Sequence, residues 1–588
     1  MPVATDLPWW KEACIYQIYP ASFKDSNGDG IGDIPGIISK LDHIKSLGVD
    51  AIWICPMFAS PQCDMGYDIS DYEAVYPPYG TVDDMERLIT ECHARSLRVL
   101  LDLVINHTSH LHAWFQESRS SKNNPKRDWY IWRPPTYATD GQRRPPNNWR
   151  AAFEGSVWEW DEHTQEYYLH YFAPEQPDLN WDNPATRAAI YESAMRFWLR
   201  KGIDGFRVDT ANLYSKNTQF PNAAVTDLLS PWQPAFELFC NGPRIHEYIR
   251  ELNQVLGEFG AMTVGELPCT PDVAKVLKYV SEKERQLNMV FQFEIVELGS
   301  GIIDRYNTVP RNWELTHLKA AVQQVQCFLA GTDGWTATFL ENHDQARSVS
   351  RFGCDETPGL RASSAKMLAI FLAGLSGTLF LHQGQEIGMV NAPITWPISE
   401  YKDIASINYY NAVKNQTNGD AAALQRAKVG LQHIARDHGR LPMQWDSTFN
   451  AGFTEAVQSW MRVHDNYADI NVERQNPDAG SVLSFWKSML RLRKEQADVL
   501  VYGDFRIIDE SNENIFIYEK KAGDKCAYVV LNFTREVRHI DLHSIFDIGQ
   551  FKLIAQSSDH VSLNRLDPFE GRLYVKEDNN EAYVPNGI

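Results

Sequence analysis

Short apolar segments alternate with amphipathic segments of helical length through most of the chain. Eight apolar segments read as strands, at residues 13–20, 51–56, 98–107, 205–209, 262–267, 290–296, 335–344 and 378–388. Helical patterns separate most of them, including 34–48, 82–95, 184–201, 243–257 and a helix that begins near residue 360. Apolar strands separated by helices are typical of a parallel sheet with both faces covered. Eight such units predict an α/β fold, a (β/α)8 TIM barrel, and a doubly wound open sheet is the alternative.

Two segments interrupt this rhythm, and the pattern changes near the end of the chain. Residues 108–173 are rich in Trp, Tyr, Asn and Pro, which predicts an inserted domain after the third strand. A second irregular insertion follows the eighth strand. Beyond about residue 505 the segments become short and alternating, which predicts an antiparallel β domain over 505–588. The predicted barrel domain therefore comprises residues 1–107 and 174–504.

Charge and apolar length exclude several classes of partner. The 588 residues include 56 basic and 76 acidic side chains, a net charge of −20, and no basic patch is visible. We therefore expect neither nucleic acid nor a membrane surface as partner. The longest apolar run, Met367 to Leu381, is too short to span a bilayer, and no stretch of signal-peptide length opens the chain. Nine cysteines without a CxxC pair fit buried free thiols, so we expect a cytoplasmic protein.

Ionisable residues collect at the predicted carboxyl ends of four strands. Active sites of barrels lie at these ends, because the loops that follow the strands meet there. Any one of these residues alone is equally consistent with a helix cap or a turn. The four ends together favour catalysis; they are Asp102 to His107, Arg207 to Asp209, Gly265 to Glu266, and Glu341 to Asp344.

Two carboxylates on consecutive strands suggest glycosidic chemistry. A retaining glycosidase needs a nucleophilic carboxylate and a carboxylic acid roughly 5–5.5 Å apart. Asp209 suits the nucleophile, because Arg207 lies two residues earlier on the same side of the strand and favours the ionised form. Glu266 suits the proton donor, because burial beside other carboxylates favours the protonated form.

The strand-end motifs resemble a known enzyme family. DLVINH, GFRVDTAN, GEL and FLENHD are similar, in order and spacing, to the conserved regions of the α-amylase family of glycoside hydrolases (family 13). QPDLNW (176–181) and RDHGRLPMQW (436–445) resemble motifs of its oligo-1,6-glucosidase and maltase subfamily, which includes the intracellular α-glucosidases of fungi and yeasts. The resemblance implies a retaining exo-acting α-glucosidase that releases α-glucose from short α-glucosides such as maltose and sucrose, with transglucosylation as a side reaction.

The resemblance also implies roles for individual residues. It makes Asp209 the nucleophile, Glu266 the acid/base and Asp344 the transition-state stabiliser. It implies that Asp64 and Tyr67 close the pocket at the non-reducing end, so that only a terminal glucose fits, and that Asp64 and Arg436 hold the terminal hydroxyls. The full set of sugar-binding residues implied in this way is Asp64, Tyr67, His107, Phe172, Gln176, Arg207, His343 and Arg436.

Thr210 carries the prediction of linkage. In this subfamily Val after the nucleophile accompanies α-1,6 preference and Thr accompanies α-1,4 preference. A hydroxyl in place of a methyl group changes the polarity of the edge that meets the leaving sugar, so we expect maltose to be preferred over isomaltose. Departures from the family pattern at Leu267, Pro268, Ala346 and Leu441 bear on fine specificity and not on the reaction.

A loop near the N-terminus offers oxygen ligands for a metal. The sequence DSNGDGIGD resembles the start of an EF-hand, but Gly36 stands where the bidentate Glu belongs. The subfamily implies a structural Ca²⁺ or Mg²⁺ ion here and no organic cofactor. The alternative is a Gly/Asp-rich turn without metal. The implied ligands are Asp25, Asn27, Asp29, the Ile31 carbonyl and Asp33.

Three other functions remain open. A zinc-dependent hydrolase could use the HxH of His110 and His112 with His343 and Asp344, although it leaves Asp209, Glu266 and Arg207 unexplained. A non-catalytic relative is a second alternative. A transglucosylase or a sucrose or trehalose isomerase is the third, because all of these enzymes share one glucosyl-enzyme intermediate. The sequence makes no prediction of oligomeric state.

Overall fold

Eight parallel strands form the central sheet of this computed structural model, which describes residues 7–300, 313–558, 560 and 562–576. Each strand pairs with its neighbours in the order β6-β5-β4-β3-β2-β1-β8-β7, and a parallel bridge from Val290 to Thr336 joins the two ends. The predicted (β/α)8 barrel is therefore confirmed and the open sheet is wrong. The strands are β1 Cys14–Ile18, β2 Ala51–Ile54, β3 Arg98–Leu103, β4 Gly205–Val208, β5 Met262–Glu266, β6 Met289–Phe291, β7 Ala337–Thr338 and β8 Thr378–His382.

Strands β6 and β7 are shorter than the apolar runs that predict them. Paired β structure covers three and two residues there, although the apolar runs extend over 290–296 and 335–344. Phe339 lies beyond the end of β7 and packs edge-on against Phe291, with ring centroids 5.0 Å apart. The apolar pattern thus continues past the last paired residue because the following side chains also enter the core.

Helices cover the outside of the barrel. The predicted helix at 184–201 is present but has a π-helical turn, Tyr191–Arg196, between Pro184–Ile190 and Phe197–Arg200. The other helices that follow the strands are Ile34–Ser39, Leu41–Ser46, Val82–Ala94, Ile245–Gly257, Val273–Val280, Leu315–Cys327, Ser348–Phe352, Pro358–Ala373, Val482–Glu495 and Ala497–Leu500. Helices Ile404–Gln416 and Ala421–Ile434 lie in the irregular segment after β8.

The segment after β3 forms its own small structure over the carboxyl ends of the strands. It holds the helix Ala113–Ser120, a three-stranded antiparallel sheet (Trp132–Arg133, Glu166–Leu169 and Trp158–Asp161) and the short pair Thr136–Tyr137 with Arg143–Arg144. Its apolar core is shared with the long loop after β4, where Phe220 and Phe239 pack on Trp149. The predicted boundaries of the inserted domain stay a prediction.

The C-terminal part of the chain is a five-stranded antiparallel sheet, as predicted. Its strands are β9 Asp504–Ile507, β10 Ile515–Ala522, β11 Lys525–Asn532, β12 Phe551–Gln556 and β13 Gly571–Lys576, in the order β9-β10-β11-β13-β12. Tyr518 of β10 donates a hydrogen bond to the carbonyl of Phe371, so the sheet rests on the barrel helix Pro358–Ala373. The end of this predicted domain, 577–588, lies outside the described residues. No helix in the described part of the chain is long and apolar enough to cross a membrane.

Candidate active site

One buried arginine joins the carboxylates of three neighbouring strands. Arg207 of β4 donates from Nη1 to Asp102 of β3 at 2.7 Å and to Asp209 at 2.8 Å, and from Nη2 to Glu266 at the end of β5. The parallel register pairs Arg207 with Asp102, which aligns the three strand ends. Arg207 is fully buried, and Asp209 and Glu266 are nearly so. The predicted pair Asp209 and Glu266 is therefore brought together around one guanidinium.

Burial favours the protonated form of Glu266 in this cluster. It raises the pKa of Glu266 to about 8, against the lowering effect of Arg207 and with a further raising effect of Asp209. Glu266 thus retains its proton at neutral pH, as a general acid requires. Asp209 accepts hydrogen bonds from Arg207 at 2.8 Å and from the Thr210 hydroxyl at 3.1 Å.

A hydrogen-bonded chain supports the floor of the site. Gln17 approaches Nδ1 of His343 with its amide nitrogen at 2.8 Å, and Nε2 of His343 lies 2.6 Å from the Tyr67 hydroxyl. Tyr67 in turn donates to Asp102 at 2.9 Å. Burial lowers the pKa of His343 to about 3, so the ring is neutral and donates from Nε2. The Tyr67 and His343 rings stack with centroids 5.2 Å apart, which fixes their positions.

The predicted residues Asp64, His107, Phe172 and Gln176 form one wall. Gln176 is fully buried and donates to Asp64 at 3.1 Å, and His107 donates to the Tyr67 carbonyl at 2.9 Å. The Phe172 ring packs edge-on against His107 with centroids 5.1 Å apart. Burial raises the pKa of Asp64 to about 7. These contacts join the segment after β2, the end of β3 and the inserted segment.

Two arginines from the segment after β8 hold Asp344. Arg436 and Arg440 donate to its Oδ1 at 3.1 and 2.8 Å, and Arg436 also reaches Asp64 at 3.2 Å. Asp403 binds both guanidinium groups, with distances of 2.8 Å to Arg436 and 2.7 Å to Arg440. Arg436 thus lies where the resemblance implies, between Asp64 and Asp344.

Sequence reasoning assigned no role to three charged residues of this site, although it placed Asp102 at a strand end. Asp102 and Arg440 lie inside motifs already quoted, DLVINH and RDHGRLPMQW, so their position beside known motif residues was an available signal. Asp403 had no such signal, because it lies in an irregular segment and caps the helix Ile404–Gln416 through Ala405 N–H.

The predicted metal loop is organised by hydrogen bonds to its own acidic side chains. Asp25 accepts from the N–H groups of Asn27, Gly28 and Gly30. Asp33 caps the helix Ile34–Ser39. Among the residues that the structure describes, no group of three or more His, Cys, Asp or Glu side chains is arranged to hold a metal ion. The exposed side chains of Asn27 and Asp29 accept hydrogen bonds from the N–H groups of Asp29 and Ile31, and the metal stays a prediction.

Comparison with known proteins assigns the family. The family model for the alpha-amylase catalytic domain matches residues 17–503. The chain belongs to the alpha-amylase family. An alpha-glucosidase of Candida albicans is 51% identical over 96% of this chain and 99% of its own length. An oligo-1,6-glucosidase of Saccharomyces cerevisiae is 46% identical over 97% of this chain and 98% of its own length.

Solved structures of the alpha-amylase family share the whole architecture. An isomaltulose synthase of Erwinia rhapontici superposes with a TM-score of 0.89 and 38% identity, over 97% of this chain and all of that one. Membership of this family makes the chain a glycoside hydrolase. The histidines of the zinc alternative serve structural contacts instead: His112 accepts from Trp114 N–H as a helix cap, and His110 lies 3.3 Å from the Glu175 carbonyl.

Proposed function

We propose that this enzyme is a retaining, exo-acting α-glucosidase on short α-glucosides. The observation that carries the proposal is the Arg207 guanidinium that bridges Asp209 and Glu266. Two carboxylates that share one guanidinium fit the shorter of the two glycosidase separations, roughly 5–5.5 Å, better than the longer one. The same arrangement places Arg207 against Asp209, the nucleophile of the proposal, while burial keeps Glu266 protonated, as the proton donor requires.

The proposed reaction has two steps. Asp209 attacks the anomeric carbon as Glu266 protonates the departing glycosidic oxygen, which leaves a glucosyl ester on Asp209. Glu266, now ionised, removes a proton from water, and that water attacks the same carbon and releases α-glucose. The carboxylate of Asp344 stabilises the positive charge of the oxocarbenium-like transition state. Arg436 and Arg440 fix the orientation of that carboxylate.

Exo action is supported by the wall opposite the nucleophile. Gln176 and Arg436 both donate to Asp64, and all three residues are buried, which supports a pocket that is closed on that side. A terminal glucose can reach Asp209 under this arrangement, whereas an internal glucose unit needs an opening for the chain on its non-reducing side. Carboxylate and amide groups there suit the hydroxyls of a terminal sugar.

We propose α-1,4 over α-1,6 preference from the position of Thr210. Its hydroxyl donates to Asp209 Oδ2 at 3.1 Å, and its backbone adopts φ +39°, so the side chain is held directly beside the nucleophile. Relatives include both an alpha-glucosidase and an oligo-1,6-glucosidase at similar identity. The linkage therefore needs its own measurement.

A second candidate function is transfer or isomerisation. The isomaltulose synthase of similar structure supports it, because the same glucosyl-enzyme can be captured by a sugar instead of water. Hydrolysis remains our first proposal, since the more similar curated relatives are glucosidases.

The deciding experiment follows the products by NMR from the first turnovers on maltose, isomaltose, sucrose and starch, with Asp209→Asn as the inactive control. We expect early α-glucose from maltose and little attack on starch. Early β-glucose would refute retention, and a predominance of transferred or isomerised sucrose would establish the second candidate. Preference for isomaltose over maltose would refute only the assignment of linkage.

A further inference from the structure

Two cysteines face each other across the loops that follow β4 and β5. Cys240 is buried at the end of the short helix Phe236–Phe239, and Cys269 is exposed in the loop after β5. The thiol of Cys269 is the first cause that raises the pKa of Cys240, so the two side chains are neighbours. The residues that follow them confirm this proximity, because Asn241 donates a side-chain hydrogen bond to Thr270 Oγ1 at 2.9 Å. The nine cysteines are free, as expected, but Cys269 and Cys327 are exposed and not buried.

Both loops are tied to the active site. Asp209 and Thr210 open the first loop, and Glu266 lies three residues before Cys269 in the second. Asn212 donates to the Pro268 carbonyl at 2.6 Å and to Thr270 Oγ1 at 2.9 Å, so hydrogen bonds already join the two loops. Any covalent change at the cysteine pair therefore acts close to the nucleophile and to the acid.

We propose that Cys240 and Cys269 form a modification site, at which a hydroperoxide oxidises Cys269 and Cys240 then completes a disulfide that joins the two loops. Exposure selects Cys269 as the thiol that meets the oxidant. Cys240 is the resolving thiol, because it is buried beside Cys269 and shielded from solvent.

The chemistry balances with one molecule of hydrogen peroxide. The Cys269 sulfur attacks a peroxide oxygen, the O–O bond breaks, a sulfenic acid forms and one water leaves. The Cys240 sulfur then attacks the Cys269 sulfur, the S–O bond breaks, and the hydroxide departs with the Cys240 proton as a second water. Two thiols lose two electrons together, and the peroxide gains them. In the reduced pair, Cys269 and burial hold the pKa of Cys240 well above its usual value, so Cys240 stays a thiol until the oxidant reaches Cys269.

The disulfide has a mechanical consequence for catalysis. The two sulfurs must approach to about 2.05 Å to bond, which draws the two loops together. A displacement of about 1 Å at a reacting group can cost as much as 10²-fold in rate. We therefore expect kcat/KM to fall about fivefold or more on oxidation and to return on reduction by dithiothreitol.

The test uses the intact enzyme and hydrogen peroxide, with peptide mapping by mass spectrometry. We expect a cross-linked peptide that contains Cys240 and Cys269, and we expect it to disappear on reduction. The variant Cys269→Ser should lose both the cross-link and the reversible fall in activity on an aryl α-glucoside. Cys327→Ser is the matched control, since Cys327 is the other exposed cysteine, and it should behave as the parent does.

Two outcomes overturn the proposal. One is oxidation of Cys269 without a cross-link to Cys240, and the other is a fall in activity that Cys269→Ser leaves unchanged. The activity arm rests on the proposed α-glucosidase function, but the mapping arm does not. A cross-link in a protein that lacks glucosidase activity would therefore support the modification site and refute only the proposed function.

Discussion

Three acidic side chains of the site contact one positively charged residue, Arg207. Its guanidinium faces Asp102, Asp209 and Glu266, so one positive charge would have to balance three negative charges if every acid were ionised. Burial makes such an excess of negative charge unfavourable, and a proton on Glu266 reduces that excess. The same burial that makes the cluster costly therefore supplies the acid that the reaction needs.

This balance predicts the alkaline limit of activity. Glu266 is protonated below its pKa of about 8 and loses its proton above it, so kcat/KM should fall as pH rises through about 8. Glu266→Gln cannot donate a proton, and we expect a loss of about 10²–10⁴-fold on maltose together with loss of the alkaline limb. The pH profiles of kcat/KM for parent and variant check this. An alkaline limb that persists unchanged in the variant would assign the proton donor elsewhere.

A substitution at Thr210 should change the preference between α-1,4 and α-1,6 linkages. Thr210→Val removes the hydroxyl that bonds Asp209 while it keeps the shape of the side chain. We expect the ratio of kcat/KM for isomaltose to that for maltose to rise about tenfold, the order of effect that one pocket group produces. Thr186→Val is the control, because that buried hydroxyl has no hydrogen-bond partner among the residues that the structure describes. A ratio equal to that of the control would show that the linkage is read elsewhere.

At the scale of elements, one helix start organises the arginines of the site. Asp403 caps the helix Ile404–Gln416 with Oδ1, and its Oδ2 binds Arg436 and Arg440. Asp437, the residue after Arg436, also holds this helix start in place, because it accepts a hydrogen bond from the N–H of Asp403 at 2.9 Å. A segment with irregular sequence pattern thus positions the groups that hold Asp344.

Asp403→Asn separates these two roles, because Asn also caps helices well but carries no charge. We expect the unfolding free energy to fall by about 3 kcal/mol, as for a broken buried ion pair, and kcat/KM to fall about tenfold. Asp420→Asn is the matched control, since Asp420 caps the next helix, Ala421–Ile434, and lies on the surface. Urea unfolding and kinetics on maltose measure both effects. Equal behaviour of the two variants would leave Asp403 with a capping role alone.

The loop of Asp25 to Asp33 predicts the effect of metal removal. If a Ca²⁺ or Mg²⁺ ion binds the native loop and not the unfolded chain, thorough chelation should lower the melting temperature. The double variant Asn27→Ala and Asp29→Ala should melt at a lower temperature that chelation does not change. Calorimetry with and without chelator checks both. An unchanged melting temperature of the parent after chelation would remove the structural metal from the proposal.

At the scale of the whole molecule, the C-terminal sheet buries a cation against the barrel. Lys520 of β10 is buried and donates to the Ser376 hydroxyl, next to the buried Arg493. Burial, with Arg493, lowers the pKa of Lys520 to about 7. The unfolded chain keeps this amine charged to about pH 10.4.

Stability should therefore rise with pH in this range. Between about pH 7 and 10 the unfolded state binds one more proton at Lys520 than the folded state, so the unfolding free energy increases. Lys520→Met removes this contribution, and we expect its increase over that range to be smaller by about 2–4 kcal/mol. Lys521→Met, at an exposed neighbour, is the control. Identical pH slopes for parent and Lys520→Met would refute the assignment.

The sequence by itself determined the barrel and the proximity of Asp209 and Glu266. Apolar strands separated by helices are typical of a parallel sheet that is covered on both faces. In a barrel, the residues at the carboxyl ends of the strands lie on one face, where active sites are found. Asp209 and Glu266 were therefore placed correctly relative to each other by position alone. Thr210 and Arg207 followed because they are adjacent to Asp209 on the same strand end.

The tertiary structure alone decided the contacts between segments that are distant in sequence. Asp403 meets Arg440, the loop after β4 packs on the inserted segment, and Cys240 meets Cys269. Local periodicity records which face of one element is covered but not which other segment covers it. Closure of the barrel brings the loops onto one face, and only there do their charges and thiols find partners. The residues that hold the site in place therefore depend on the fold and not on the local sequence pattern.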